Sequence, residues 1–180
     1  ATIVRPSHTY DQTFVPSDWG YTVLDRIMKG KKVIIHGDGT SLWTLTHHRD
    51  FAKGFLGLLG NRQAIGEAFH ITSDELLTWN KIYELMAKES GVPLNAVHIP
   101  SDFIAKIDHR MEGGLLGDKA HSVIFDNSKI KSLAPDFKAT IKFEDGVKEI
   151  IKWYRGNPER QVVDEATNDI IETIIKKYER

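Results

Sequence analysis

Apolar residues recur every three or four positions in seven stretches of the chain, and this spacing places them on one face of an α-helix. Ser17 and Thr78 are suited to cap two of these helices, and Gly30, Gly91 and Gly156 to end three. The predicted helices are Asp18–Lys29, Asp50–Leu59, Trp79–Glu89, Asp102–Asp108, Ser128–Leu133, Glu144–Tyr154 and the amphipathic segment Val163–Tyr178.

Short apolar and β-branched runs lie between the helices and predict strands over Thr2–Arg5, Val33–His36, Leu42–Thr46, Glu67–Ile71 and Ala96–Ile99. The turn-forming Gly37–Thr40 makes Lys32–Thr46 a predicted β-hairpin. Arg110–Lys119 holds three glycines and is predicted to be a loop. Because strands alternate with helices, the expected fold class is α/β.

Composition narrows the function classes further. The 180 residues are 41% apolar and 27% charged, and the net charge of −1 argues against a nucleic-acid partner. The absence of cysteine excludes disulfides, thiolate metal sites and cysteine nucleophiles. No apolar run approaches the ~20 residues that a membrane span needs, so we expect a cytoplasmic protein without a membrane partner.

Glycines at 54, 57 and 60 have the spacing of a dinucleotide-binding fingerprint. That fingerprint needs a strand before the glycines and a helix after them. Here the glycines follow Asp50 in helical phase, so Gly54 and Gly57 are interpreted as small residues of a closely packed helix and Gly60 as its end. The inward face of this helix is predicted to hold Phe51, Phe55, Leu58 and Leu59.

Three further groups of residues are candidate binding sites. The eight histidines include the adjacent pair His47 and His48, which would point to opposite faces of a strand, so no metal site is predicted. Arg155, Arg160 and nearby lysines are balanced by acidic residues and are interpreted as a solvated face. Trp43 either stacks on a base or sugar ring or covers an edge of the core.

Five short blocks carry a resemblance to a known family. Together they resemble the C-terminal part of NAD-dependent epimerase/dehydratase proteins, the extended short-chain dehydrogenase/reductase group. Each block is weak alone, and their order and spacing make the combination specific. The blocks are Arg5–Tyr10, Gly37–Thr40, Thr46–Ala52, Phe69–Thr72 and Phe125–Lys131.

The resemblance implies a two-part architecture, in which an N-terminal Rossmann domain binds NAD or NADP and a smaller C-terminal domain holds a nucleotide sugar. We expect this chain to form an incomplete Rossmann-type parallel sheet remnant plus a small C-terminal α/β substrate-binding domain. Rossmann-derived strands are expected near 2–5 and 67–71, as neighbours in one sheet. Substrate-lobe elements are expected in 17–60 and 96–180.

The family's catalytic Tyr-x-x-x-Lys pair does not occur in this sequence. The resemblance therefore implies no catalytic residue within the chain, no tightly bound NAD or NADP, and no activity by the chain alone. The expected partners are a small-molecule sugar, a missing N-terminal lobe and, through the exposed edge of the sheet, a second copy of the chain.

The resemblance also implies a set of site residues. Ser7 corresponds to a position beside the nicotinamide end of the cofactor, and His8 to one where many members bind the sugar-nucleotide phosphate. Trp43 and His121 fall where phosphate-binding arginines are usual, so the substrate is expected to be less anionic than the family norm. We expect Trp43 and His8 to border one cleft together with His121 and His70.

Two functions remain open from the sequence. The first is the substrate-binding portion of an NAD-dependent epimerase/dehydratase that acts on a nucleotide sugar or a related sugar. The alternative is a non-catalytic binding module that binds RNA, as the chloroplast stem-loop-binding relatives do.

Overall fold

The computed structural model describes residues 1–180, and most predicted helices lie within one or two residues of their expected bounds. Thr78 Oγ1 accepts a hydrogen bond from the backbone N–H of Lys81, and Gly91 ends the same helix at φ +77°. The helices are α1 (Gly20–Met28), α2 (His48–Leu58), α3 (Trp79–Ser90), α4 (Ser101–Ile107), α5 (Glu112–Gly114), α6 (Ser128–Leu133), α7 (Phe143–Arg155) and α8 (Glu165–Tyr178). No helix has the length and apolar character needed to cross a membrane.

Eight short strands form four separate pairs. The strands are β1 (Ile3–Pro6), β2 (His8–Tyr10), β3 (Val33–His36), β4 (Leu42–Trp43), β5 (Leu45–His47), β6 (Ala68–Ile71), β7 (Leu77–Thr78) and β8 (Ala96–Ile99). β1 pairs with β6, β2 with β5 and β3 with β8, all in parallel, while β4 and β7 are antiparallel. The pairing of β1 with β6 confirms the expected neighbours, and no other strand borders β1.

The predicted hairpin over Lys32–Thr46 is wrong. β3 pairs with the distant β8, β4 with β7 and β5 with β2, so the three strands on either side of the Gly37–Thr40 turn diverge. All four residues of β3 are buried, which is typical of a parallel strand covered on both faces rather than one arm of a surface hairpin.

Arg110–Lys119 is helical rather than a loop. It consists of a single 3₁₀ turn (His109–Met111), α5 and one π-helical turn (Leu115–Lys119). Met111, Leu115 and Lys119 are buried at a spacing of four residues, whereas Gly113 and Gly117 between them are exposed. The buried side chains thus override the weak helix propensity of glycine.

The hydrophobic residues form two cores. The larger contains thirty buried residues, most of them from α1, α3, α7, α8 and the strands beside them. The smaller surrounds β6 and includes Leu58 of α2 and Ile130 of α6. β1 leads out of the smaller core, and the chain passes through Ser7 into β2 of the larger core.

The inward face of α2 differs from the predicted one. Asp50, Gly54 and Leu58 are buried, whereas Phe55 is 38% and Leu59 59% exposed. A side chain at Gly54 would place its Cβ 2.5 Å from Cγ2 of Ile71. The glycine face therefore turns inward because it allows α2 to approach β6 closely.

Candidate functional site

An open cleft of about 300 Å³ lies where the end of β1, β4 and the segment 118–125 meet. Its lining groups include one cation, one carboxylate and a pair of contacting Trp and His side chains. The nine lining residues are Pro6, Ser7, His8, Trp43, Thr44, Asp118, Lys119, Val123 and Phe125. The cleft thus combines an aromatic surface with hydrogen-bonding and charged groups, as ligand sites commonly do.

Ser7 is fixed at the point where the chain crosses between the two cores. Its hydroxyl lies 2.7 Å from the hydroxyl of Thr46, which is fully buried in β5. Thr46 Oγ1 also accepts the backbone N–H of Ser73 at 2.8 Å. This network holds the floor of the cleft without any charged group.

His8 and Trp43 form the central contact of the cleft. The indole Nε1–H of Trp43 donates to Nδ1 of His8 at 3.0 Å. Because Nδ1 accepts, the neutral ring of His8 carries its proton on Nε2. Burial lowers the pKa of His8 below its ordinary value, and the nearby Lys119 cation lowers it further. His8 is therefore a neutral hydrogen-bonding group at pH 7.

Trp43 also belongs to the core behind the cleft. It is only 7% exposed, and its ring lies 5.4 Å from that of Trp79. The two sequence interpretations of Trp43 are therefore compatible, since one part of the side chain covers the core and another lines the cleft. A ligand ring would meet a rigid indole rather than a mobile one.

Lys119 supplies the positive charge of the cleft and was missed by the sequence analysis. Its ammonium lies 3.1 Å from Oδ1 of Asp18 and 5.6 Å from the centroid of the Trp43 ring. Its side chain is only 10% exposed. The spacing of Met111, Leu115 and Lys119 was the available sign that this lysine turns inward.

The extended segment after the π-helical turn forms one wall of the cleft. The Val123 N–H donates to the Leu42 carbonyl at 3.0 Å, and the Leu42 N–H donates to Ser122 Oγ at 3.0 Å. The Thr44 hydroxyl donates to the Val123 carbonyl at 3.4 Å. Segment 122–125 therefore docks alongside β4, which places Lys119 over Trp43.

The expectation that His121 and His70 border this cleft is not met by their positions. Nε2 of His121 lies 3.1 Å from the carbonyl oxygen of Leu116, and the residue is exposed outside the cleft. His70 sits in β6 with its ring 5.1 Å from that of Phe125, which does line the cleft. His121 is held by its contact with the Leu116 carbonyl of the π-helical turn, and His70 reaches the cleft only through its contact with Phe125.

A second cavity, of about 290 Å³, adjoins the cleft behind segment 118–123. Ala120 and Ser122 line this cavity, whereas Lys119 and Val123 line the cleft. Its deepest polar group is His36, which is 8% exposed and whose Nε2 has no hydrogen-bond partner. Burial lowers the pKa of His36 to about 4, so this ring too is neutral at pH 7.

The glycines of α2 do not fit a dinucleotide. A Cβ at Gly54 would meet Ile71, and one at Gly57 would lie 2.5 Å from Cβ of Ala134. The glycine face is thus filled by protein, and Gly60, at φ +72°, follows the helix rather than preceding one. The packing interpretation is confirmed, and these residues offer no cradle for a pyrophosphate.

Comparisons with known proteins identify the kind of fold. Among solved structures, the UDP-glucuronic acid 4-epimerase of Bacillus cereus, in complex with UDP-glucuronic acid and NAD, aligns with a TM-score of 0.66 at 20% identity, covering 86% of this chain and 45% of the epimerase. A dTDP-glucose 4,6-dehydratase of Bacillus anthracis in complex with NAD aligns with a TM-score of 0.65 at 20% identity, covering 87% of this chain and 45% of the dehydratase. The fold is therefore that of part of an NAD-dependent epimerase or dehydratase.

Curated sequences give concordant matches over shorter stretches of the chain. A 2'-dehydrokanamycin reductase of Streptomyces kanamyceticus is 27% identical over 110 residues, which are 61% of this chain and 31% of the reductase. A dTDP-glucose 4,6-dehydratase of Streptomyces niveus is 29% identical over 133 residues, 73% of this chain and 34% of the dehydratase. A chloroplast stem-loop binding protein of 41 kDa from Arabidopsis thaliana is 29% identical over 94 residues, 51% of this chain and 24% of that protein.

The match spans only about a quarter to a third of these curated relatives, and no protein-family model matches the chain. Sequence and structure nevertheless agree on the resemblance. The chain resembles the NAD-dependent epimerase/dehydratase family, and its α/β architecture with short parallel strand pairs aligns with part of the epimerase fold.

Proposed function

We propose that this chain is the substrate-binding portion of an NAD-dependent epimerase/dehydratase that acts on a nucleotide sugar or a related sugar. The observation that carries the proposal is the cleft in which Trp43, His8 and Lys119 converge within a fold of this class. The three groups match the three parts of such a ligand, which are a ring, hydroxyl groups and a negative charge.

Each group has a distinct role in the proposal. The indole of Trp43 presents a rigid apolar surface to a ring. The Nε2–H of neutral His8 donates a hydrogen bond to a hydroxyl or phosphate oxygen. Lys119 attracts the phosphate, but its ion pairs with Asp18 and with Asp118, which lines the same cleft, weaken that attraction. The substrate is therefore less strongly bound by charge than one held by an arginine pair.

The adjoining cavity supports an extended ligand rather than a single sugar. Asp118, Lys119 and Val123 line the cleft and Ala120 and Ser122 the second cavity, so one segment of chain forms a wall of both. The second cavity is lined by hydroxyl groups and His36, with Asp38 as its one charged group. A two-part molecule can place its charged portion at Lys119 and its neutral polar portion near His36.

β1 and β6 belong to the Rossmann-derived sheet, and the elements in 17–60 and 96–180 form the substrate lobe. α2 and α6 of that lobe pack against β6 in the smaller core. NAD or NADP is bound, and the reaction carried out, by residues outside this chain, and the free edge of β1 faces either that missing lobe or a second copy of the chain.

Calorimetric titration of the chain with UDP-glucose, UDP-glucuronic acid and dTDP-glucose tests the proposal. We expect saturable binding of at least one ligand, and a loss of about tenfold or more in affinity for Trp43→Ala. Trp19→Ala is the matched control, since this indole is also partly buried but lines neither the cleft nor the adjoining cavity. Equal affinity of both variants for every ligand would remove the cleft from the proposal.

The alternative is an RNA-binding module. Its support is the similarity of the chain to the chloroplast stem-loop binding protein. It predicts that single-stranded RNA binds and that the nucleotide sugars do not. Titrations with both kinds of ligand under one salt condition separate the two hypotheses.

A further inference from the structure

A separate cavity of about 490 Å³ lies where the loop after β2, the first turn of α2 and the end of α7 meet. None of its residues lines the cleft or the cavity beside His36. The six lining residues are Gln12, Arg49, Glu149, Lys152, Trp153 and Arg160.

The groups that line this cavity carry an excess of positive charge, although the chain as a whole has a net charge of −1. Three cations line it against the single carboxylate of Glu149. Both oxygens of that carboxylate are engaged, Oε2 with Nε2 of His47 at 3.2 Å and Oε1 with the guanidinium of Arg49. The acidic neighbours in sequence do not reach the cavity, so the solvated face expected from balanced composition is instead a local excess of positive charge.

Two of the cations have donors that the protein leaves free. Lys152 makes no ion pair or side-chain hydrogen bond in the structure. The Arg160 guanidinium lies 4.4 Å from the centroid of the Trp153 ring, and its Nη1 donates to the Trp153 carbonyl at 2.9 Å. That stacking fixes the plane of the guanidinium while its other N–H groups stay available, and a planar guanidinium is the preferred partner of a phosphate.

The surrounding contacts hold these groups in place. His47 caps α2 and accepts the backbone N–H of Arg49 at Nδ1, so the neutral ring donates from Nε2 to Glu149. The Tyr154 hydroxyl donates to the Thr13 carbonyl at 3.1 Å, which fastens the loop carrying Gln12 to α7. The cations therefore come from three ordered elements rather than from one flexible segment.

We propose that this cavity is a second ligand site, which binds the phosphoryl groups of a small phosphorylated molecule. Arg160 and Lys152 contact the phosphate oxygens directly, Gln12 adds an amide donor, and Arg49 divides its charge between Glu149 and the ligand. The site is independent of the substrate cleft, so it stands whether or not the chain binds nucleotide sugars.

Inorganic pyrophosphate is the probe, titrated by calorimetry into the 180-residue chain at constant ionic strength. We expect saturable binding that weakens by about tenfold in Arg160→Gln and in Lys152→Gln. Lys177→Gln is the matched control, because this exposed lysine also lacks an ion pair and lies outside every cavity described above. Lys119→Gln separates this site from the cleft and should leave pyrophosphate binding at the cavity unchanged.

Three results would overturn the proposal. The first is no pyrophosphate binding below about 10 mM, since affinity weaker than about 3 kcal/mol reflects only diffuse charge attraction. The second is equal weakening in Lys177→Gln and the cavity variants. The third is binding of single-stranded RNA through Arg160 and Lys152 without binding of pyrophosphate, which would make the surface a contact for a polymer rather than a small-molecule site. Thermal unfolding of each variant confirms that the fold is kept.

Discussion

The indole N–H of Trp43 donates to Nδ1 of His8 at 3.0 Å and so joins two segments that are 35 residues apart in sequence. This one bond sets the tautomer of His8, orients the Trp43 ring and links β2 to β4 at the centre of the cleft. An imidazolium at His8 could not accept it, because both ring nitrogens would carry protons. The hydrogen bond and the burial of the ring both favour the neutral form of His8 and therefore both lower its pKa.

Trp43→Phe should raise the pKa of His8 relative to the wild-type chain, because phenylalanine keeps the ring but removes the donor that favours neutral imidazole. In the wild type the pKa lies below the ordinary value, through burial first and Lys119 second. Titration of the His8 ring resonances by NMR measures both values. An unchanged or lower pKa in the variant would show that the hydrogen bond does not form in solution.

The stability of the fold should fall as the pH is lowered from 7 to 4.5. Burial lowers the pKa of His36 from 6.5 to about 4, so the unfolded chain binds a proton in this range that the folded chain does not. Stability is then fully present above the unfolded pKa and is lost as the pH falls towards the folded one. His36 alone should account for about 2 kcal/mol of this loss.

His36→Phe is the variant that isolates this effect. Phenylalanine preserves the edge contact with Trp79, whose ring centroid lies 5.1 Å away, and removes a buried nitrogen that has no partner. Urea unfolding at the two pH values should show a smaller pH dependence in the variant, with stability at pH 7 equal to or above that of the wild type. An undiminished pH dependence would assign the acid sensitivity to other groups.

Gly54→Ala should destabilise the chain by about 1–3 kcal/mol, because the added Cβ overlaps Ile71 and presses on Phe137 in a packed core. Gly113→Ala is the matched control, since a Cβ there meets nothing within 4 Å and the backbone φ is negative. Urea unfolding compares the two. Equal stability would mean that the glycine face of α2 is loosely packed and open to a ligand.

The chain alone should not bind NAD with micromolar affinity. The glycines at 54 and 57 are covered by Ile71 and Ala134, and Ser7 is engaged with Thr46. Calorimetric titration with NAD and with NADH measures this directly. Micromolar binding of either would contradict the assignment of cofactor binding to residues outside the chain.

Local features of the fold were predictable because short-range physics fixes them. The cap at Thr78, the end at Gly91 and the periodicity of Ser128–Leu133 depend on neighbours in sequence. The pairing of β3 with β8 was not predictable from the sequence. It joins residues more than sixty positions apart and competes with a turn that favours a local hairpin.

The residues of the candidate site also fall into some that the sequence predicts and others that it does not. Ser7, His8 and Trp43 could be found from motif positions in the family resemblance, and all three line the cleft. Lys119 was missed, because its inward position depends on a helical segment whose three glycines favour a loop and hide the four-residue spacing of Met111, Leu115 and Lys119. His121 was misplaced for the same reason, since that segment decides which residues face the cleft.

The Nε1–H resonance of Trp43 offers the most direct test of the proposed function, because all four tryptophans report separately in a nitrogen–proton NMR spectrum. Titration with UDP-glucose and dTDP-glucose should shift the Trp43 signal saturably and leave that of Trp19, which lines none of the three cavities, unchanged. Lys119→Gln should weaken the response by about tenfold. A Trp43 signal that stays constant while a nucleotide sugar binds elsewhere, or that responds equally in Lys119→Gln, would contradict the assignment of this cleft as the substrate site.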